Sequence, residues 1–385
     1  MLSESNSLQP FRVAPSNVCG TWQAQYSSLH QNILAGSAPQ RYLFHTCDQG
    51  LGDCFAGLVT ALYLAVLTNR ALFTGKNEYK YAYNSSLSAH FRNSFRSPPG
   101  GINWSVPDLL FNGSFAHGEH LGFHGHLLHN YTHYDIQDAY EKLAGETKAV
   151  YLFSNTGLLH KMYHIPVLHR KLGKLGVMFE KAFGCALDFL FIPRTEYLHH
   201  YEKEIEVLTA NRERPIIGVH ARYGDESFAS STESADVKEY VKTAFAGVIS
   251  CVQDLVSSLK ERGVPQPIIY FLSDNRMARI TFQEIFHDDI VITNTRYKAM
   301  HTGPFQVGGI DEEGLQTAAI DYWLFGGSDY FVISTSSGYG RTAAARSFSW
   351  QNAPTFLVEK QYDKQKCQGG DEGSFLRLAI QPPGI

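Results

Sequence analysis

His220, Arg222, Gly224 and Asp225 follow one another at the end of a short apolar run, Pro215 to Val219. The run reads as a buried strand. In open α/β sheets, ligands bind just outside the carboxyl ends of strands. An arginine there is a permanent cation that can grip two phosphate oxygens through parallel hydrogen bonds. The chemistry this suggests is recognition of a phosphate. Taken alone, the segment fits equally an ordinary strand-to-loop turn in which Arg222 pairs with Asp225.

Three further loops carry residues of the same kind. Gly50-Leu51-Gly52-Asp53 precedes a helix, where glycines admit a ligand to the backbone and the helix start favours an anion. As a short glycine turn it also needs no ligand at all. Phe271-Leu272-Ser273-Asp274-Asn275 is another strand running into a carboxylate, which could accept hydrogen bonds from a ribose or base. Ser273 or Asn275 serves equally as the N-cap of the helix that follows. The fourth runs from Asp329 to Arg341: an apolar strand ends in Ser334-Thr335-Ser336-Ser337-Gly338-Tyr339-Gly340-Arg341, and a small-residue helix begins. Hydroxyls and helix-start amides there make a diphosphate cradle. It is not a Walker A loop, because no Gly-Lys-Ser/Thr is present.

Metal chemistry has weaker support. No Cys-x-x-Cys pair exists, and no Asp-x-Asp sits at a strand end. His117, His120, His124, His126, His129 and His133 crowd one stretch, but their spacing fits no zinc signature, and a polar loop accounts for them. The expected metal set is none.

The elements that must position these loops follow from periodicity. A strand at Arg41 to Thr46, an apolar helix at Phe55 to Asn69 and a strand at Ala71 to Thr74 form a βαβ unit, the building block of parallel sheets. Residues 80 to 135, rich in Ser, Asn, Gly, Pro and His, read as a long excursion with little regular structure. A strand at Ala149 to Phe153 and helices over Leu159 to Ala186 and Arg194 to Ala210 complete the first half. The second half alternates more plainly. Strands are predicted at Ile216 to His220, Ile268 to Leu272, Ile290 to Thr293 and Tyr330 to Ser334. Helices are predicted at Asp236 to Arg262, Met277 to Phe286, Gly314 to Phe325 and Gly340 to Phe348. The domain organisation predicted is a polar lead-in (1–38), an N-terminal Rossmann-like domain (39–205), a C-terminal Rossmann-like domain (206–360) and a tail (361–385).

The 385 residues suit two domains, and 44% hydrophobic content with 18% charged is ordinary for a globular chain. A net charge of −4 argues against a nucleic-acid or anionic-membrane binder. The uncharged stretch Phe55 to Thr68 is shorter than the roughly 20 residues a membrane span needs, and it reads as a core helix. No membrane contact is expected from the numbered chain. Met1 to Gln9 is polar, so no signal peptide is visible. Four Asn-x-Ser/Thr sequons, at Asn84, Asn103, Asn112 and Asn130, nevertheless cluster in the first half, as on a lumenal surface. Six widely spaced cysteines fit scattered disulfides or buried thiols equally. The location predicted is the Golgi or ER lumen, with any targeting segment absent from this chain; the cytoplasm is the alternative.

Together and in order, the four loops resemble the fucosyltransferase superfamily that contains the α1,2-, α1,6- and protein O-fucosyltransferases. The family's H-x-R-x-G-D segment matches His220 to Asp225, and its second strand-end aspartate matches Asp274. Its late stretch matches Asp321-Tyr322-Trp323-Leu324 through Ser337 and Ala343-Ala344. Its N-terminal stretch matches Gly50 to Asp53 and Thr68-Asn69-Arg70. The resemblance runs from about residue 41 to 349. It implies an α/β, GT-B-like fold of two Rossmann-like domains facing across a cleft. It further implies an inverting, metal-independent glycosyltransferase that moves L-fucose from GDP-fucose to a glycan or glycoprotein acceptor, with no cofactor besides the donor.

By position, Arg222 would contact the β-phosphate and stabilise departing GDP. His220 and Asp274 would hold the guanosine, and Ser336 and Ser337 the phosphates. Asp225 and Gly338 belong to the same donor set. Gly50, Gly52 and Asp53 would face the fucose and the acceptor. Asp53, Glu226 and Glu233 are the candidate bases. The chain departs from the family where Tyr223 replaces a frequent second arginine, and Arg341, at a helix start, is the candidate to restore that charge. Competing readings are a GT-B enzyme using another nucleotide sugar and a catalytically inactive module that binds a nucleotide sugar or glycan.

Overall fold

The structure is a computed structural model that describes residues 18–47, 50–74, 94–105, 119–123, 135–211, 213–223, 235–295, 312–335, 337–358, 368–370 and 378–379. The chain divides into two compact units. One spans Val13–Ile192, with Leu378 and Ala379 grouped to it; the other spans Pro193–Phe375. The division thus falls ahead of residues 193–205, which the sequence assigns to the N-terminal domain.

The first unit opens with helix α1 (Trp22–Leu34), inside the stretch read as a polar lead-in. Polar composition hides it, but Trp22, Tyr26, His30 and Ile33 recur at helical spacing and are buried. Strand β1 (Tyr42–Thr46), helix α2 (Leu51–Thr68) and strand β2 (Ala71–Thr74) form the βαβ unit. Asn69, in the left-handed region at φ 54°, ends α2. By length and composition α2 could cross a membrane, yet 83% of it is buried inside the protein, as befits a core helix. Strand β3 (Glu119–Phe123), helix α3 (Ile136–Ala144) and strand β4 (Ala149–Ser154) follow. β3 is regular structure within the expected excursion: its sequence, Glu-His-Leu-Gly-Phe, has little strand character, and pairing with β4 overrides it. The four strands are parallel in the order β2-β1-β4-β3.

The helical run predicted at Leu159 to Ala186 is three helices, α4 (Leu159–His164), α5 (Pro166–Lys174) and α6 (Phe179–Leu190). Pro166 starts the second because it cannot continue the first, and Gly176, at φ 74°, ends it. The cysteine alternatives resolve as disulfides: Cys19–Cys185 joins the unit's first turn to α6, Cys47–Cys54 joins the end of β1 to the start of α2, and Cys251 is bonded too.

The second unit contains a 3₁₀ turn at Thr195–Tyr201 and helix α7 (Glu202–Ala210), then strand β5 (Ile216–Ala221). Helices α8 (Ala235–Ala244) and α9 (Ala246–Glu261) replace the single helix predicted over 236–262. The break is at Phe245, whose ring is buried and meets Tyr223 edge-on at 6.5 Å. Next come β6 (Ile268–Ser273), α10 (Arg276–Ile285), β7 (Ile290–Ile292), α11 (Glu312–Phe325), β8 (Tyr330–Ser334), α12 (Gly338–Ser347), β9 (Thr355–Val358) and β10 (Gln368–Gly369). The sheet order is β10-β9-β8-β5-β6-β7, parallel except for the β9–β10 pair. β6 and β8, both following β5 in sequence, flank it on opposite sides. The strand order therefore reverses between β5 and β8, and the carboxyl ends of those strands bound the crevice where such sheets bind ligands.

Candidate functional site

The residues singled out at the ends of β5, β6 and β8 come together at this reversal point. The Arg222 amide donates to Ser334 Oγ at 3.1 Å, and Ser334 Oγ donates to the His220 carbonyl at 3.2 Å. The Tyr223 amide donates to Asp274 Oδ1 at 2.6 Å, and Ser273 Oγ donates to the same oxygen at 3.3 Å. Two neighbouring strand ends thus clamp the backbone on either side of Arg222, which is half-buried.

The helices that start at those strand ends are capped. Asn275 Oδ1 accepts the Ala278 amide at 3.0 Å at the start of α10, settling the alternatives for that cap in favour of Asn275. Ser337 Oγ accepts the Gly340 amide at 3.5 Å at the start of α12. Both helices thus begin at the ends of the strands adjoining β5, and their positive dipole ends favour an anion beside Arg222.

His220 packs against the start of α12. A Cβ on Gly340 would fall 2.7 Å from His220 Nδ1, so only glycine lets the ring and helix approach this closely. The Tyr339 ring packs on the imidazole at 5.5 Å. Burial first, then the charges of Arg222 and Arg279, push the His220 pKa down to about 3, so the ring is neutral at physiological pH. Nδ1 is buried with no hydrogen-bond partner among the described residues. Leaving such an atom unmet costs about 1–3 kcal/mol.

Arg341 is buried in α12, its Nε donating to the Ser337 carbonyl at 3.3 Å. Gly338 opens the same helix and is buried. Asp225, Glu226, Glu233 and Ser336 lie outside the described residues, as does the histidine cluster apart from His120 in β3. In the first unit, Gly50 is the N-cap of α2, Gly52 is buried in its first turn, and Asp53 is half-buried there. The Cys47–Cys54 disulfide spans this turn. Arg70, matched through the Thr-Asn-Arg stretch, is fully buried. Its guanidinium donates to the carbonyls of Leu143, Thr147, Tyr42 and Gly145 at 2.7–3.3 Å, capping the end of α3.

The sequence places Ser334 in the hydroxyl run but not as the partner of both Arg222 and His220, and it does not indicate Arg279, whose buried charge acts on His220. A serine at a strand end is a visible signal for the first; a helical arginine four residues past its N-cap carries none.

No protein-family model matches the sequence, and no curated protein is similar to it. Solved structures do overlap it. A point mutant of Arabidopsis thaliana FUT1, in complex with GDP, superposes with a TM-score of 0.60 at 15% identity, over 96% of this chain and 86% of that one. NodZ α-1,6-fucosyltransferase soaked with GDP-fucose gives 0.47 at 15% identity, over 83% and 95% of the two chains. POFUT1 in complex with GDP-fucose gives 0.38 at 10%, over 84% and 99%. The first likeness shows that this chain has a GT-B-like α/β fold with two parallel-sheet units; the other two are too loose to add to it.

Proposed function

We propose that the chain is a glycosyltransferase that moves L-fucose from GDP-fucose to a glycan or glycoprotein acceptor, with inversion and without a metal. The observation that carries this reading is the fixed Arg222 backbone at the strand-order reversal, between two helix starts. The fold shared with FUT1, solved with GDP, supports it.

The chemistry follows from charge. Breaking the sugar–phosphate bond leaves negative charge on GDP and positive character on the sugar. A guanidinium and helix-start amides aimed beforehand at the diphosphate stabilise that state more than the ground state. In this reading Arg222 meets the β-phosphate, and Ser336, Ser337 and Gly338 cradle the diphosphate. Arg341 adds positive charge beneath them. His220, neutral and short of a partner at Nδ1, meets a hydroxyl or base atom of the nucleoside. Asp274 and Asp225 complete the donor set, while Gly50, Gly52 and Asp53 serve the sugar and the acceptor. Attack from the face opposite GDP needs a base or a very dissociative path; Asp53, Glu226 and Glu233 are the candidate bases. The disulfides and the exposed sequon residue Asn103 suit a Golgi or ER lumen.

GDP release from GDP-fucose tests the proposal, run with galactose-terminated glycans, core chitobiose glycans, xyloglucan-type fragments and folded peptide domains as acceptors. Transfer should occur with at least one acceptor, and Arg222→Ala should lower it by about 10²–10³-fold or more. Turnover with UDP-sugars alone would remove the fucose assignment, and tight GDP binding without any turnover would make the chain a binding module.

A further inference from the structure

We infer that Arg279 and Asp321 form a buried pair that positions the nucleotide-side rim of the second unit. The inference rests on the proposed donor site and deepens it.

One guanidinium holds two strand ends. Arg279, at 2% exposure, donates from Nε to the Ser273 carbonyl at 2.9 Å, at the end of β6. It donates from Nη1 to the Asn294 carbonyl at 2.8 Å, just beyond β7. Nη2 meets Asp321 Oδ2 on α11 at 2.8 Å. All three contacts come from one rigid planar fork, so the separation between these two strand ends is set by the guanidinium.

The carboxylate is itself held. Asp321 Oδ1 lies 3.0 Å from the Tyr201 hydroxyl and 3.0 Å from the Tyr270 hydroxyl. Tyr201, having one proton, can donate to it or to the Thr317 carbonyl at 2.9 Å. Burial, and after it the Asp321 charge, keep Tyr201 and Tyr270 far above their ordinary pKa, so both remain donors. Tyr339, packed on His220, donates to the Ala318 carbonyl of the same helix, α11.

The connection to the site is short. The residue after Ser273 is Asp274, which accepts the Tyr223 amide; the residue before Tyr223 is Arg222. The pair therefore acts on the donor site through backbone, without needing to touch a ligand. A fold-stabilising ion pair alone would not require the fork to end on two strand-end carbonyls. Buried pairs of this kind can be replaced by apolar residues of similar volume with little loss of stability. The same replacement here would remove the shared guanidinium from both carbonyls.

The test uses the full chain, with the Arg279→Met/Asp321→Leu double variant and the single variant Arg279→Lys. Thermal unfolding reports the fold, GDP calorimetry the rim, and GDP-fucose turnover separates KM from kcat. Both variants should fold, bind GDP at least tenfold more weakly than the unaltered protein, and show the loss chiefly in KM. A folded variant that binds GDP as the unaltered protein does would overturn the inference. So would failure of both variants to fold, which would make the pair a stability element only. If the unaltered protein itself does not bind GDP, the proposed donor site fails first, and the inference falls with it.

Discussion

The Ser334 hydroxyl ties Arg222 to its own strand, accepting the Arg222 amide at 3.1 Å and donating to the His220 carbonyl at 3.2 Å. One small side chain on β8 thus fixes the residue that β5 delivers to the crevice. Ser334→Ala removes both hydrogen bonds, which should cost about 1–3 kcal/mol of stability. GDP affinity should fall alongside. Urea unfolding and calorimetry measure the two; unchanged GDP affinity would show that the tie does not serve the site.

Gly340 packs against the ring of His220. An alanine in a helix interior is ordinarily favoured over glycine by about 1 kcal/mol. Here its Cβ would lie 2.7 Å from Nδ1 of that ring and 2.9 Å from Ile333 Cγ2, both buried. Gly340→Ala should therefore destabilise by about 1–3 kcal/mol and weaken GDP binding. A gain in melting temperature would refute the contact.

Three buried histidines give a signed pH dependence. In the unfolded chain each takes up a proton near 6.5; in the fold His30 and His45 do so only near 4, and His220 only near 3. Burial is the main cause in each. Stability should be full above pH 6.5 and fall as pH drops towards 4, by about 1.4 kcal/mol per pH unit for each histidine. Replacing any one by asparagine should flatten the slope of unfolding free energy against pH by about one proton. A slope unchanged by all three replacements would contradict these burials.

Arg70 tests which matched residues are structural. Arg70→Met removes four hydrogen bonds, to Leu143 and Gly145 at the end of α3, to Thr147 beyond it and to Tyr42 in β1, and should cost about 3 kcal/mol or more in urea unfolding. GDP affinity, measured where the variant is still folded, should not change. A large loss of GDP affinity in folded protein would assign Arg70 to the site instead.

Those outcomes bear on how far the sequence could be read. The strand ends of the second unit were legible because apolar runs such as Ile268–Ser273 and Tyr330–Ser334 stop abruptly in polar residues. The parallel sheet followed from their alternation with helices. What the sequence did not carry was decided by contacts distant in the chain. β3 is a strand because β4 pairs with it. α1 is a helix because Trp22 and Tyr26 find aromatic partners in Tyr63 and Phe189. The roles of Arg70 and Arg279 are set by carbonyls that no local pattern brings near them.

The two disulfides of the first unit differ in when they can form. Cys47 and Cys54 are separated by 7 positions, so both leave the ribosome almost together. Cys19 and Cys185 are separated by 166. The early cysteine must wait, unpaired, until nearly the whole unit has been made. In the chain-entropy account the short loop restrains the unfolded chain by roughly 2 kcal/mol and the long one by about 5 kcal/mol. The short bond is a local brace available to the nascent chain, and the long bond closes only a finished unit. A compartment that oxidises thiols during synthesis would have to leave Cys19 from pairing with Cys47 or Cys54 first. The short separation of Cys47 and Cys54 favours the right outcome, since the smaller loop closes at lower entropic cost.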